Sequence, residues 1–485
     1  MKKNFNAEAI PPAALKNPPL WASVAPIAIL LVSLIGIIIL EGAHAINDYS
    51  QIVLLGSAAI AVVLARLTGA LSGRGIRTGF ARSAGQILPA VPMLVCIAMV
   101  ATTWMMSGVV PTLIDLGFRW LNPTFFLVTS CVICAVISVL TGSSWSTIAT
   151  IGVALMGIGT VMGFHPGWVA GAIISGAYFG DKVSPLSDTT VVASSTCGVD
   201  LFKHIKYLMF TAVPAMAIAL IVYLAVGLAQ GAPSAEFSRD LITELHLHFN
   251  ISAWTLVIPA LTLVLIACKV KTLLTLLLAS AMGFVGIFLF QPQNVESVGA
   301  TFAALWLGNS MSTSNELLNE LAGTGGISGM MSTITLVLSA MVFGSAMIGT
   351  GMLGVITHAF ARKLRRRTSI VGATVAGGLF MNSCTADQYL SLIITGNMYR
   401  NVYRRFRLEP RLLSRTLEDS VSVTSVLIPW NSCGITQSTV LGVSTLVYFP
   451  FCIFNILSPC MSIFMAWIGF KIPDTSRSQV APSAA

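Results

Sequence analysis

The chain has 485 residues, of which 27 are lysine or arginine and 18 are aspartate or glutamate, so charged residues make up only 9%. Soluble domains carry about 25% charged residues, and a water-exposed surface cannot be built from so few charges. Together with 55% hydrophobic residues, this excludes a soluble enzyme, a disordered protein and a nucleic-acid-binding protein. It predicts an all-α polytopic membrane protein whose basic residues mark membrane topology.

The first apolar run, 21–40, follows the lysines Lys2, Lys3 and Lys16. At about 20 residues it is long enough to span a bilayer and longer than the apolar part of a signal peptide. The sequence Ala43-His44-Ala45 resembles a signal-peptidase site, which leaves a cleaved signal as the alternative. We predict that the first helix is retained.

Further apolar runs along the chain are long enough to cross the bilayer. The positive-inside rule predicts that the basic connections between them lie in the cytoplasm, together with the terminal segments 1–20 and 471–485. Two regions, 120–200 and 368–438, are apolar but interrupted by polar and small residues. The other predicted spans are 50–66, 84–108, 205–229, 252–268, 272–290, 330–357 and 440–470.

The interrupted regions predict two re-entrant hairpins. On the charge-based topology, residues 368–399 enter and leave on the cytoplasmic side, and residues 119–165 enter and leave on the outer side. The hairpins would point at each other, and each is followed by a predicted broken helix, 416–438 and 166–200 respectively. Non-helical tips at membrane depth are tolerated only where they are buried in protein or line a wet cavity.

An internal repeat accompanies the hairpins. A shift of 238 positions aligns 181–187 with 419–425 and 144–147 with 382–385. The matched spans run in opposite directions, which is typical of inverted-topology repeats with discontinuous helices. The predicted organisation is two transport repeats, 84–229 and 330–470, on scaffold segments 21–83 and 230–329.

Four aspartates lie in or beside the interrupted regions: Asp181, Asp188, Asp387 and Asp419. A charge at the bilayer centre costs at least ~2.5–3.5 kcal/mol, so such residues are usually functional. Pro185 breaks the helix after Asp181 and frees backbone carbonyls beside hydroxyl groups. Carboxylate, hydroxyl and carbonyl oxygens are ligands for Na⁺. We therefore predict that these aspartates bind Na⁺ and protons, with Asp188 and Asp387 foremost because apolar sequence follows each of them.

Hydroxyl and amide side chains at the hairpin tips and helix breaks complete the predicted site, because helix ends at such places present free backbone groups. Two alternatives stay open. Asp181 and Asp419 would instead be helix caps, with Lys182 paired to Asp181, and the serines and threonines would only hold helices together. The predicted supporting Na⁺ ligands are Ser143, Ser144, Ser146, Thr147, Ser184, Ser187, Thr189, Asn382, Thr385, Ser422, Thr424 and Asn431.

Three segments, 180–190, 385–389 and 414–431, closely resemble the signatures of NhaC-type Na⁺/H⁺ antiporters, and the resemblance covers most of the chain. It implies Na⁺/H⁺ exchange across the bacterial inner membrane, opposed hairpins in inverted repeats, and a homodimer. The second half has Val421 and Val426 where the family pattern has a glycine and a proline. This departure predicts a less pronounced break in the second half.

The predicted mechanism is alternating access without ATP or a cofactor, because no Walker phosphate loop is present. Burial favours a protonated carboxyl group and a bound cation favours the carboxylate, so Na⁺ and protons compete for one site. The nearest alternative is a malate/lactate exchanger of the same fold, for which Lys182 is the only lysine in the interrupted regions. A channel is a second alternative. A membrane hydrolase needs a Ser/His/Asp or His–metal set in its core. It is disfavoured because His165 and His358 lie near span ends without such residues beside them.

Overall fold

The computed structural model describes residues 17–41, 46–88, 90–230, 235–268, 270–310, 319, 322–361 and 366–471. These residues are helical or in short connections, and the single β-bridge among them, between Asn309 and Thr324, is isolated. Most of the predicted cytoplasmic ends lies outside the described residues, as do Ala43-His44-Ala45 and the basic residues Arg362, Lys363 and Arg365.

The helices of the first half start where a polar side chain caps an apolar run. Ser143 and Ser187, for example, each accept a hydrogen bond from a backbone N–H three residues later, which satisfies a donor that the helix leaves free. In chain order the helices are α1 Leu20–Glu41, α2 Ile46–Leu67, α3 Gly73–Ile87, α4 Ala90–Met106, α5 Val109–Trp120, α6 Phe126–Thr141, α7 Ser144–Val161, α8 Pro166–Val183, α9 Asp188–Cys197 and α10 Leu201–Gln230.

The second half contains one long irregular stretch. After α19 the chain forms a π-helical turn, Glu418–Ser422, and a 3₁₀ turn, Ser425–Leu427, before α20 begins. The helices are α11 Ala235–His248, α12 Val257–Ala267, α13 Thr272–Phe290, α14 Val298–Leu307, α15 Gly326–Gly349, α16 Met352–Ala361, α17 Arg367–Thr385, α18 Gln388–Arg405, α19 Pro410–Leu417, α20 Ser432–Leu441 and α21 Ile453–Ile468.

The helix lengths fit a multi-pass membrane protein. Within the described residues, seven helices are long and apolar enough to cross a membrane, and three bent helix pairs would raise that number to ten. Large apolar side chains point outward from these helices, among them Leu40, Ile221 and Leu228. The prediction of an all-α polytopic membrane protein is therefore confirmed. The predicted span 330–357 is divided instead, because α15 ends at Gly349 and α16 starts at Met352.

The predicted hairpins and broken helices coincide with helix pairs. Region 119–165 contains α6 and α7, which meet at Gly142 and Ser143, hereafter the first tip. Region 368–399 contains most of α17 and α18, which meet at Ala386 and Asp387, the second tip. The first break, 184–187, separates α8 from α9, and the second break, 418–431, separates α19 from α20.

The non-helical residues of the second break, 428–431, are as many as those of the first, and a π-helical turn and a 3₁₀ turn distort the helix before them, so the prediction of a less pronounced break is wrong. Side chains replace the helical donors there: Asn382 Nδ2 donates to the carbonyl of Val421 at 2.8 Å, and Asn455 Nδ2 donates to that of Val423 at 2.7 Å. Buried carbonyls must be satisfied in this way before a helix can unwind at membrane depth. Pro429, which cannot donate a backbone hydrogen bond, stands shortly before α20.

The two halves correspond at a spacing of 244 residues rather than the predicted 238. A proline opens both α8 and α19, at Pro166 and Pro410, and the caps that start α9 and α20 are Ser187 and Asn431. Residues in the left-handed backbone region, each just after a helix, recur at the same spacing. These matched pairs are Gly142 and Ala386, Gly163 and Arg407, and Gly198 and Gly442.

The corrected spacing changes which residues are equivalent. Asp181 corresponds to Ser425 rather than to Asp419, and Asp188 corresponds to Ser432. The 238-residue alignment was wrong because it rested on a few identities between small residues, whereas helix caps and left-handed turns mark the backbone itself. The repeated fold therefore carries different acidic residues in its two halves.

Glycines allow α8 to pack closely against α6. A Cβ atom at Gly176 would lie 2.0 Å from the carbonyl oxygen of Cys131, and one at Gly180 would lie 2.3 Å from that of Ala135. Both obstacles are backbone atoms, so they cannot rotate away. Close backbone approach at small residues is the usual way in which membrane helices associate.

We expect Gly176→Ala to separate α8 from α6 and to lower the unfolding free energy by about 1–3 kcal/mol. The apparent melting temperature of the purified protein in detergent measures this loss. Gly56→Ala in α2 is the matched control, because a Cβ atom there meets nothing within 4 Å. A melting temperature for Gly176→Ala equal to that of Gly56→Ala would contradict the packing described here.

Candidate ion-binding site

Asp181 lies near the end of α8 and faces the start of α7. Its side chain is buried, and the hydroxyl of Ser144, the first residue of α7, donates to Asp181 Oδ2 at 2.8 Å. The hydroxyl of Ser187, at the end of the first break, also interacts with this carboxylate. A carboxylate at a helix N-terminus is stabilised by the free N–H groups and the helix dipole. The first tip and the first break therefore meet at Asp181.

Asp387 occupies the second tip and begins α18. Its Oδ1 accepts a hydrogen bond from the backbone N–H of Leu390 at 2.8 Å, and the Ser432 hydroxyl lies 3.5 Å from its Oδ2. The residue is buried. Thr385 holds the tip by donating to the backbone carbonyl of Asp387 at 2.9 Å. One carboxylate oxygen is thus a helix cap, and the other faces the start of α20.

Oxygen atoms without hydrogen-bond donors lie close to the second tip. The amide nitrogen of Asn382 donates a hydrogen bond to the second break. Asn431 Nδ2 donates to the backbone carbonyl of Asn382 at 3.1 Å. Asn382 Oδ1 and Ser422 Oγ are buried and have no hydrogen-bond partner among the described residues. A buried amide oxygen without a donor is costly unless another group binds it. These oxygens are suited to bind a cation.

Tyr389 and Cys433 connect the two halves of the site. Tyr389 stands two residues after Asp387 and lies within electrostatic reach of both Asp181 and Asp188. The Cys433 thiol, in α20, is 2.9 Å from Gln388 Oε1, and α20 also packs against α7. The two tips and the two breaks therefore converge on one region that contains the carboxylates of Asp181 and Asp387, with Asp188 beside it.

Asp188 is the first residue of α9, and it is exposed. The apolar environment expected for it is therefore not found. Its neighbour Thr189 is buried and forms a 3.0 Å hydrogen bond with Ser187. The apolar sequence that follows Asp188 forms α9, whereas Asp188 itself stands at the end of the first break. Asp188 is accordingly at the exposed edge of the region rather than within it.

The remaining predicted ligands mainly hold the tips and breaks in shape. Ser146 and Thr147 hydrogen-bond with Ser143 at 3.1 and 3.0 Å. Ser184 donates to the carbonyl of Val139 at 2.8 Å, and Thr424 donates to the carbonyl of Ser420. These hydroxyl oxygens keep lone pairs, but their hydrogen atoms are committed to protein acceptors.

Asp419 belongs to a separate buried ion-pair cluster, which consists of Lys182, Thr211, Arg415, Asp419 and Ser458. The Lys182 ammonium group pairs with Asp419 Oδ1 and donates to Ser458 Oγ at 2.7 Å. Thr211 donates to Asp419 at 2.9 Å, and Arg415 Nε lies 3.7 Å from its other oxygen. Pairing of Lys182 with Asp181 is thus wrong, and Asp419 faces a cation of the protein itself.

Sequence reasoning missed several residues of this region. Ser432 and Tyr389 have neutral side chains, so they do not stand out in the way that a charged residue in apolar sequence does. Glu418 could have been found, since it directly precedes Asp419 in a segment between predicted spans. The structure buries Glu418 completely.

A sequence model of the Na⁺/H⁺ antiporter family matches residues 6–199 and 176–470. The chain belongs to this family. Two overlapping matches that together cover nearly the whole chain agree with the motifs at both breaks. Family membership makes the protein a transporter rather than an enzyme, embedded in a membrane and acting on small ions.

Proteins that are named for different transport activities are similar in sequence to this chain. The "Na(+)/H(+) antiporter NhaC" of Alkalihalophilus pseudofirmus is 35% identical over 85% of this chain and 90% of its own. The "Malate-2H(+)/Na(+)-lactate antiporter" of Bacillus subtilis is 35% identical over 81% and 84%. The "Arginine/ornithine antiporter ArcD" of Halobacterium salinarum is 32% identical over 97% of both chains.

We expect Lys182→Gln to lower the unfolding free energy by ~3–5 kcal/mol, because the buried Asp419 loses its counter-ion. The double variant Lys182→Gln with Asp419→Asn removes both charges and should regain much of that loss. Chemical unfolding in detergent measures the three free energies. In the control Arg119→Gln, the lost guanidinium is 58% exposed, so the loss should stay below ~1 kcal/mol. Equal losses in the single and double variants would contradict the ion pair.

Proposed function

We propose that the protein is a secondary active antiporter that exchanges Na⁺ for H⁺ across the bacterial inner membrane by alternating access. The observation that carries this proposal is the surroundings of Asp387. A buried carboxylate oxygen, the Ser432 hydroxyl and Asn382 Oδ1, which has no hydrogen-bond partner in the described part of the chain, lie at adjoining helix ends. This collection of hard oxygen donors suits a small monovalent cation.

Competition at the carboxylates supplies the coupling. Desolvation favours the protonated form of a buried carboxyl group, and a bound cation favours the ionised form. Na⁺ and a proton therefore exclude each other at Asp387 and at Asp181. Asp188, being exposed, is placed to attract cations toward the buried pair. The ion-binding site changes its exposure from one side of the membrane to the other only when Na⁺ or a proton has neutralised its carboxylate. A charged carboxylate without a bound ion is costly in the membrane.

An organic anion is the second candidate cargo, because one relative with similar coverage is named a malate and lactate antiporter. Such a cargo needs a cationic group that is free to bind a carboxylate. The Lys182 ammonium group is committed to Asp419 and Ser458, which favours inorganic cations in this chain. Arginine and ornithine, named for the third relative, are cations and would use the acidic residues instead.

The remaining parts of the proposal concern location and assembly. The basic connections between the predicted spans support an inner-membrane protein with both termini in the cytoplasm. A homodimer and transport without any bound cofactor follow from the family resemblance. Dimer formation in detergent can be measured by light scattering of the purified protein.

We expect Asp387→Asn to abolish Na⁺-driven proton movement in inverted membrane vesicles, because an amide neither releases a proton nor offers Na⁺ a negative charge. Fluorescence of a pH-sensitive dye measures the proton movement after Na⁺ is added. Asp200→Asn is the matched control: Asp200 also accepts a backbone hydrogen bond three residues ahead, from Lys203, but is exposed. Full Na⁺-driven exchange by Asp387→Asn would remove Asp387 from the mechanism.

We expect labelled Na⁺ to exchange into Na⁺-loaded proteoliposomes in competition with unlabelled Na⁺ and with protons, but not with malate or lactate. Counterflow with each solute in turn measures this selectivity. The physical reason is the commitment of Lys182 described above, together with the oxygen donors at Asp387. Counterflow of labelled malate, lactate or arginine at the rate of Na⁺ would replace the proposed cargo.

A further inference from the structure

Two buried polar side chains near the ion-binding region take no part in the binding of Na⁺ or protons at the carboxylates. Gln437 of α20 is completely buried, and neither its amide oxygen nor its amide nitrogen has a hydrogen-bond partner among the described residues. The hydroxyl of Tyr178 in α8 is buried and also lacks such a partner. A buried polar group without a hydrogen bond destabilises the fold, so its presence calls for an explanation such as a bound ion.

The Cys433 thiol connects these two side chains. It lies beside the Tyr178 hydroxyl, outside hydrogen-bonding geometry for that hydroxyl, and beside Trp145 of α7. Gln437 follows Cys433 by four residues on α20, and side chains at this spacing lie on one face of a helix. That face is therefore turned toward α7 and α8, and α20 packs against α7. Tyr178, Cys433 and Gln437 are hereafter the neutral group.

The neutral group adjoins both buried carboxylates. The Cys433 thiol is 2.9 Å from Oε1 of Gln388, which directly follows Asp387 in the chain. Tyr178 stands three residues before Asp181 on α8 and lies within electrostatic reach of it. An ion that leaves either carboxylate toward α20 therefore meets uncharged oxygen atoms next.

The predicted topology places the neutral group on the outer side of the carboxylates. α20 begins at the second break and runs toward the outer side, and Gln437 stands about 7.5 Å further along it than Ser432. The Ser432 hydroxyl faces Asp387. The exposed Asp188, by contrast, begins α9, which leads to Lys203 in a connection predicted to be cytoplasmic. The exposed edge at Asp188 and the neutral group thus lie on opposite sides of the buried carboxylates.

The chemistry of the neutral group suits weak binding of a cation. Gln437 Oε1 and the Tyr178 hydroxyl oxygen are both ligands that Na⁺ accepts. The amide nitrogen of Gln437 can donate to a water molecule that the ion retains. Because an amide offers no negative charge, it binds Na⁺ more weakly than a carboxylate does. A position on an ion route must bind well enough for entry and weakly enough for release.

Resting on the Na⁺/H⁺ exchange proposed above, we propose that Gln437 and Tyr178 form a second, neutral Na⁺ position on the outer side of Asp387. Na⁺ is held there by uncharged oxygen atoms on its way between the carboxylates and the external solution. Both side chains are buried, so this passage is closed in the structure. It opens when α20 and α7 separate on the outer side.

The test is Gln437→Met, which removes both amide atoms at nearly constant volume. We expect its melting temperature in detergent without Na⁺ to exceed that of wild type, because two buried polar atoms without partners are gone. We expect the Na⁺ concentration for half-maximal exchange at the outer face to rise about tenfold, which is about 1.4 kcal/mol of binding free energy, with the maximal rate unchanged. Uptake of labelled Na⁺ into right-side-out vesicles measures the outer value. Inverted vesicles measure the cytoplasmic value, which should stay that of wild type.

Gln291→Met is the matched control. Gln291 is also completely buried, but its amide exchanges two 2.9 Å hydrogen bonds with the backbone of Asn250. This variant should lower the melting temperature and leave both half-maximal Na⁺ concentrations unchanged. Tyr178→Phe removes the second oxygen atom and should raise the melting temperature and the outer value, as Gln437→Met does.

Three results would overturn the neutral Na⁺ position. A melting temperature of Gln437→Met below that of wild type indicates a structural partner for the amide. An unchanged outer half-maximal concentration in Gln437→Met or in Tyr178→Phe excludes binding of Na⁺ there. A rise that is equal on the two faces, or confined to the cytoplasmic face, excludes an outer passage. Wild-type vesicles without any Na⁺-driven proton movement would instead overturn the exchange reaction itself.

Discussion

The structure depends on one constraint: an acidic side chain at membrane depth must be protonated, paired with a cation, or bonded to groups that a continuous helix cannot offer. Each buried acid beside the helix breaks meets this constraint in a different way. Asp181 and Asp387 lie at helix N-termini with hydroxyl donors, and Asp419 has Lys182. Among the residues that the structure describes, Glu418 has no hydrogen-bond partner. Helix breaks are placed where they are because only a break brings such groups together.

The internal repeat supplies the breaks twice but does not supply the same chemistry twice. At the 244-residue spacing, the tip residue Asp387 corresponds to Ser143, and Ser432 corresponds to Asp188. In the second half the acid is on the hairpin and the hydroxyl on the broken helix, whereas in the first half this order is reversed. A repeated backbone with exchanged side chains thus offers different donors at its two tips and breaks.

Much of the fold follows from the sequence, because apolar length and Pro185 directly determine spans and the first break. The repeat spacing does not, because it is set by helix caps such as Asn431, whose role depends on the fold. The ion-pair partner of Lys182 could not be predicted from the sequence either. Neighbouring residues on a helix point about 100° apart, so adjacency to Asp181 says nothing about contact. Likewise, the exposure of Asp188 depends on how α9 packs, which periodicity over ten residues does not reveal.

The buried ion pair explains how events at one break can reach the other. Lys182 belongs to the first break and Asp419 to the second, and removing either partner alone leaves an uncompensated charge. The two breaks must therefore move together for as long as the Lys182–Asp419 pair is kept.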